Sequence, residues 1–199
     1  MNETREHIIQ EAGRLFLQKN YDGVSIQDIT RAVGMTKGAL YHHFTSKEQV
    51  FEEVARNLVG NSHADFLALP GDSLQGFYRS LVANTRDRDE AGRKAKLPGA
   101  TEFGINVYNL LWDAVRILPG FRASMEAFDA FEHSAWTRVI QAALDRGEIR
   151  AGLDADKLAR IFTAVPDGVG ISSMFKGGPL AKFDEILELW ETLYQSIKA

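Results

Sequence analysis

Between Arg31 and Lys47 the chain carries Arg31, Lys37 and Lys47 together with His42 and His43, and no Asp or Glu. Side chains of these types donate hydrogen bonds to anionic oxygens and to polar base edges, so an acid-free run of them suits a polyanion. The run is a local exception. The chain as a whole has 23 Lys and Arg against 27 Asp and Glu, a formal net charge of −4. Net acidity argues weakly against a nucleic-acid partner, but a whole-chain average hides this local positive island, which must be explained by what surrounds it.

Local signals define the elements that must present it. Ile26, Ile29 and Val33 recur at helical steps behind Ser25, which with Asp28 resembles a capping pair. Gly34-Met35 then marks a tight turn, Thr36 opens a second short helix with Leu40 and Phe44 on its apolar side, and Ser46 followed by Gln49 fits a capping box. Two short helices joined by a Gly-containing turn, behind a longer helix bearing Ile8, Ile9, Ala12, Leu15 and Phe16, are the ingredients of a helix-turn-helix. With Leu40 and Phe44 turned inward, Gly38, Tyr41, His42 and Thr45 share the outward arc. A glycine inside a helix is worth about 1 kcal/mol less than alanine, so Gly38 has a reason to be there. Either it relieves crowding near the turn, or another backbone approaches it closely. Thr36 and Lys37 stand at the start of their helix, and Lys47 stands just after the Ser46 cap, where helix dipoles favour phosphate.

The run Gly23 to Glu48, and above all Gly38-Ala39-Leu40-Tyr41-His42-His43-Phe44-Thr45-Ser46-Lys47, resembles the DNA-binding domain of the tetracycline-repressor (TetR/AcrR) family. The resemblance covers about residues 5–55. Thr30, Val33 and Met35 depart from the residues common in that family and bear on helix packing. It implies an all-α protein of about nine helices, with a DNA-binding domain over 1–50 and a ligand-binding and dimerisation domain over 51–199. It further implies a cytoplasmic homodimer on a double-stranded, pseudo-palindromic operator, released by a small effector, with no cofactor or metal. Carried over by position, Thr36, Lys37, Gly38, Tyr41 and His42 lie at the groove. Ser25, Gln27 and Arg31 flank it, and Lys47 holds a phosphate.

Composition and breakers organise the remainder. With 45% apolar residues and no Cys, the chain is an ordinary folded domain without thiol chemistry, and no run approaches the length of a membrane helix. The N-terminal residues lack the apolar stretch of a signal peptide. Pro70-Gly71, Pro98-Gly99, Pro119-Gly120, Gly147, Gly152 and Gly177-Gly178-Pro179 separate helices expected near 46–68, 73–92, 101–117, 120–147, 154–175 and 180–198. Pro166 should kink or break its helix. Arg93-Lys94-Ala95-Lys96 reads as a solvated basic turn.

Aromatic residues concentrate beyond residue 60, which suits a largely apolar effector site walled by Tyr78, Asn106, Tyr108, Trp112 and Trp136. The helix over 46–68 is the expected lever between that site and the DNA. Leu158, Ile161, Val165, Val169, Leu187, Trp190 and Tyr194 are expected to form a four-helix dimer interface. Two other classes remain open on the residues alone. Glu126, Asp129 and His133 could hold a metal in an enzyme, and the helix-turn-helix could serve protein contacts. No nucleophile–base pair accompanies the first, and steep salt dependence would argue against the second.

Overall fold

The structure, a computed structural model, describes residues 3–59, 66–94, 104–176 and 182–199, with the side chains of 88–89, 91–94, 104–107 and 174 outside the description. Among the described residues the chain is all-helical. The helices are α1 (Glu3–Lys19), α2 (Ile26–Val33), α3 (Lys37–Tyr41), α4 (Lys47–Val59) and α5 (Leu74–Lys94). They continue with α6 (Gly104–Ile117), α7 (Phe121–Asp145), α8 (Ala155–Phe175) and α9 (Phe183–Ile197). The only extended pairing described is an isolated bridge between Ile149 and Lys198. The stretch 60–65 of the expected lever lies outside the described residues, as do Ala95 and Lys96 of the basic turn.

The chain forms two compact units, one of Met1–Asn61 with Ala91–Ala123, the other of Ser62–Glu90 with Ser124–Ala199. In the first, α1 buries Ile8, Ile9, Ala12, Phe16 and Leu17. Leu15, expected in this stripe, stands at the edge of the buried arc and is half-buried. Phe16, Tyr21 and Phe51 form an aromatic knot, with ring centroids 4.9 Å apart for Phe16–Phe51 and 4.7 Å for Tyr21–Phe51. α6 packs on α1 and α4 in this unit. Asp113 accepts the Tyr21 backbone N–H at 3.1 Å, and Arg116 joins Asp113 to Asp22 at 3.0 and 3.1 Å. The first unit therefore runs past residue 50 and includes α6, which packs on α1 and α4.

The second unit is built around Trp136, which lies 4.9 Å from both Phe77 and Phe162 and 5.1 Å from Trp190. Burying side chains of this size stabilises by roughly 1.5–3 kcal/mol each. Beside this core Glu191 accepts from the Tyr78 hydroxyl, Arg79 and Gln75 at 2.8, 2.8 and 3.0 Å. Gln195, Arg79 and Tyr78 hold its carboxyl down at about 2. Pro166 does not end α8. A proline has no N–H to offer the carbonyl four residues earlier, which here is Phe162, and that carbonyl accepts instead from the buried Trp190 indole at 2.9 Å. The donor lost within α8 is replaced from α9, so the helix runs on through the proline.

Candidate nucleic-acid interface

The helix-turn-helix is fixed by caps that the sequence writes locally. Ser25 caps α2: its Oγ accepts from the Asp28 N–H at 3.1 Å, while the Asp28 carboxylate accepts from the Ser25 backbone N–H at 2.9 Å and its hydroxyl at 2.6 Å. Those bonds from the Ser25 side chain and backbone hold the Asp28 carboxyl below the usual carboxylate range. At the far end Gly34 adopts the left-handed conformation (φ 67°), and the Met35 N–H reaches back to the Thr30 carbonyl at 2.9 Å, closing a Schellman turn. Thr36 caps α3 by accepting from Ala39 N–H at 3.2 Å. Ser46 caps α4, with Gln49 reaching back to Thr45 rather than to the cap itself.

With both ends of the turn pinned, Leu40 and Phe44 are buried and the opposite face of α3 is open. Ser25, Gln27, Arg31, Thr36, Lys37, Gly38, Tyr41 and His42 are all exposed. Lys37 meets only the Tyr41 ring, 5.8 Å from its centroid, and Arg31 is loosely paired with Asp28 at 3.9 Å. The Ser25 hydroxyl is engaged in its cap and the Thr36 oxygen already accepts one bond, leaving the Thr36 O–H free to donate.

Gly38 separates the two explanations for its presence. A Cβ built on it meets nothing nearer than Thr36 Oγ1 at 4.0 Å, and its φ is not in the left-handed range. Nothing within the protein asks for a glycine there.

Lys47 differs from the other basic groups. Its ammonium donates to the Tyr21 and Val24 carbonyls, both at 3.0 Å, and lies 3.9 Å from the Tyr21 ring centroid. It ties the α1–α2 turn to the start of α4, and one of its three protons is left for an outside anion. Beside it the Tyr21 hydroxyl donates to Glu48 at 2.7 Å, which holds that carboxyl down, while burial pushes the Tyr21 phenol up.

The residues expected to wall an effector site are divided between the two units. Tyr78 and Trp136 are fully buried in the core of the second unit, so their faces are taken by neighbouring rings. Tyr108 and Trp112 belong to α6 in the first unit, with Trp112 72% exposed, and the Asn106 side chain lies outside the described residues. A cavity of about 240 Å³ lies elsewhere in the second unit, with Phe66, Phe128, Phe183 and Trp190 among its lining residues. Glu132 and Asp167 line it too, although in the sequence they look like ordinary helix charges and do not stand out. The available signal is spacing, because Glu132 stands one turn from both Phe128 and Trp136, inside an apolar stripe.

The residues expected at a dimer interface differ in their burial. Leu158, Val169, Trp190 and Tyr194 are buried in the protomer's own core and have no surface to offer a partner, and Val165 and Leu187 are half-buried against it. Ile161 is exposed. It begins an outward row on α8 with Ala164, Gly168, Ile171 and Phe175, the last 82% exposed. His133 pairs with Asp156 at 2.7 Å, and Asp129 faces Arg160 at 4.0 Å. Among the described residues no three potential ligands converge as a metal site would need.

A capped helix-turn-helix with an exposed, acid-free second helix defines a DNA-binding transcriptional regulator. Residues 8–54 match the model of bacterial regulatory proteins, tetR family. Over 191 residues the chain is 25% identical to the transcriptional repressor KstR2 of Mycolicibacterium smegmatis, covering 89% of this chain and 82% of that one. It is 38% identical over 84 residues to the regulator AcrR of Shigella flexneri, covering 40% and 39% of the two chains. A regulator from Saccharomonospora viridis, solved in complex with choline, shares the fold over the whole of both chains with a TM-score of 0.70 at 22% identity. Residues 8–54 thus carry the DNA-binding domain of the tetR-family regulators, and most of the chain's length is similar to a repressor of known function. The chain is a regulator and not an enzyme, and among the described residues no helix is long and apolar enough to cross a membrane.

Proposed function

We propose that this chain is a ligand-responsive repressor that binds a pseudo-palindromic operator as a cytoplasmic homodimer and is released by a small, largely apolar effector. The observation that carries the DNA half is Gly38, exposed on α3 with no internal need for a missing side chain. A sugar-phosphate wall approaching the helix backbone supplies that need. Thr36, Lys37, Gly38, Tyr41 and His42 face the groove, Lys37 being suited to guanine O6 and N7 and the Tyr41 hydroxyl to a phosphate. Ser25, Gln27 and Arg31 flank them, and Lys47 offers its remaining proton to a phosphate. Repression follows the named function of the relatives.

The outward row on α8 from Ile161 to Phe175, with Leu189 exposed on α9, supports pairing with a second copy. Two recognition helices then read half-sites about 34–36 Å apart. An effector acts only through unequal affinity for DNA-competent and DNA-incompetent spacings, and a coupling of about 1–3 kcal/mol changes operator affinity roughly 5–150-fold. Selection of bound duplexes from a random pool, followed by sedimentation of the free protein and of the complex, tests the proposal. A palindromic consensus bound by an even number of chains is expected, whereas an asymmetric site bound by a monomer overturns it.

A further inference from the structure

The second unit contains an arrangement that a purely apolar effector leaves unexplained. The cavity of about 240 Å³ lies among α5, α7, α8 and α9, with Phe66, Phe128, Phe183 and Trp190 on its walls. Such walls suit an apolar body, yet Glu132 of α7 and Asp167 of α8 line the same space. Among the described residues no cation pairs with either. The charged groups around them are otherwise engaged: Arg86 with Asp184 at 2.6 Å, Arg160 with Asp129 at 4.0 Å, and His133 with Asp156 at 2.7 Å. Arg86 also sits 5.6 Å from the centre of the Phe183 ring, so one wall of this cavity already takes a cation against an aromatic ring.

We propose that this cavity is a site for an organic cation, a quaternary or protonated amine carried on an apolar body, with Glu132 as its inner counter-charge and Asp167 as the carboxylate at its mouth.

The proposal rests on the effector reading above and gives its ligand a chemical class. Carboxylates left unpaired in an apolar wall are unfavourable as anions. Burial, and after it the charges of Asp167 and Asp129, pushes Glu132 up to about 7, and burial also raises Asp167. The Trp136 indole N–H favours ionised Glu132 but falls short of a hydrogen bond, and it is buried without a partner. A cation in the cavity reverses the balance. Its single positive charge offsets the repulsion between the two carboxylates and finds aromatic walls that attract positive charge, as an uncharged guest of the same shape does not. Its binding expels the proton from Glu132, so affinity rises as pH rises through about 7. Asp129, Arg160, Asp184 and Arg86 remain in their existing pairs.

The test uses the full-length protein, with benzyltrimethylammonium and its uncharged carbon isostere neopentylbenzene as probes, read by calorimetry and Trp fluorescence. The cation is expected to bind roughly tenfold or more tightly than the isostere. Glu132→Gln should erase that preference and Asp167→Asn should reduce it. Equal affinities, no binding of the cation, or a preference that survives Glu132→Gln each overturn the proposal. Release of a selected operator is measured in parallel to keep the two readings apart. A cation that binds through Glu132 yet leaves DNA bound defeats the effector reading and keeps the site. Release by neutral molecules alone does the reverse.

Discussion

Gly38→Ala is expected to move stability and DNA affinity in opposite directions. Gly38 is the second residue of α3, exposed, with right-handed backbone, and the added methyl has its nearest neighbour at 4.0 Å. Replacing glycine by alanine in such a helix removes unfolded-state freedom without a clash, worth about 0.5–1 kcal/mol. For a chain of this length that raises the melting temperature by roughly 1–4 °C. At the operator the same methyl enters a close contact, and overpacking a tight contact is unfavourable by about 1–3 kcal/mol. With two heads on each operator, as proposed above, affinity should fall by roughly thirtyfold or more. Calorimetric melting and fluorescence anisotropy with a labelled operator read the two effects. Unchanged affinity would mean that no backbone or phosphate comes close to Gly38, and lowered stability would mean that the local account of α3 is mistaken.

The remaining predictions turn on single donors and one acid. Lys37→Ala should leave stability within about 0.5 kcal/mol while loosening sequence preference, checked by melting and by binding to operator variants. Lys47→Ala should reduce stability by roughly 1–2 kcal/mol, because the Tyr21 and Val24 carbonyls lose their donor, and lower the salt slope of DNA binding by about one unit. An unchanged slope would confine Lys47 to those carbonyls. Trp190→Phe strands the buried Phe162 carbonyl and should be unfavourable by about 1–3 kcal/mol in denaturant titration. Adding Pro166→Ala restores a backbone N–H to that carbonyl, so the double variant should recover part of the loss, and strict additivity would refute the exchange of donors. Glu132 has a folded pKa of about 7 above its ordinary 4.5, so its neutral form stabilises the fold below that lower value and the contribution fades as pH rises towards about 7. Glu132→Gln should therefore match the parent near pH 4 and exceed it near pH 8, by at most about 3 kcal/mol, and equal stability at both would contradict the burial of that charge.

What is legible in the sequence is what short-range chemistry decides. Ser25 with Asp28, Gly34 before Met35, and Thr36 before Ala39 each specify a cap within four residues, so residue types and spacing alone define the helix-turn-helix and its outward face. Interactions of longer reach leave no such local mark. The carbonyls that hold Lys47 lie more than twenty residues earlier, and the donor that rescues Phe162 lies 28 residues later on another helix. Aromatic residues at helical spacing look alike whether they line a cavity or fill a core, which is why the pattern alone does not reveal that Tyr78 and Trp136 are fully buried. The same ambiguity puts Trp190 and Tyr194 at a dimer surface, when their stripe faces the protomer's own centre and the exposed apolar row runs along α8 instead.

The most direct test is the salt dependence of binding to a duplex by the full-length protein. If α3 carries the contact, the logarithm of the binding constant should fall linearly with the logarithm of salt, by roughly 0.9 for each phosphate neutralised, with the slope shallower in Lys37→Ala. Binding that ignores salt, or no binding to any duplex at low ionic strength, would contradict it.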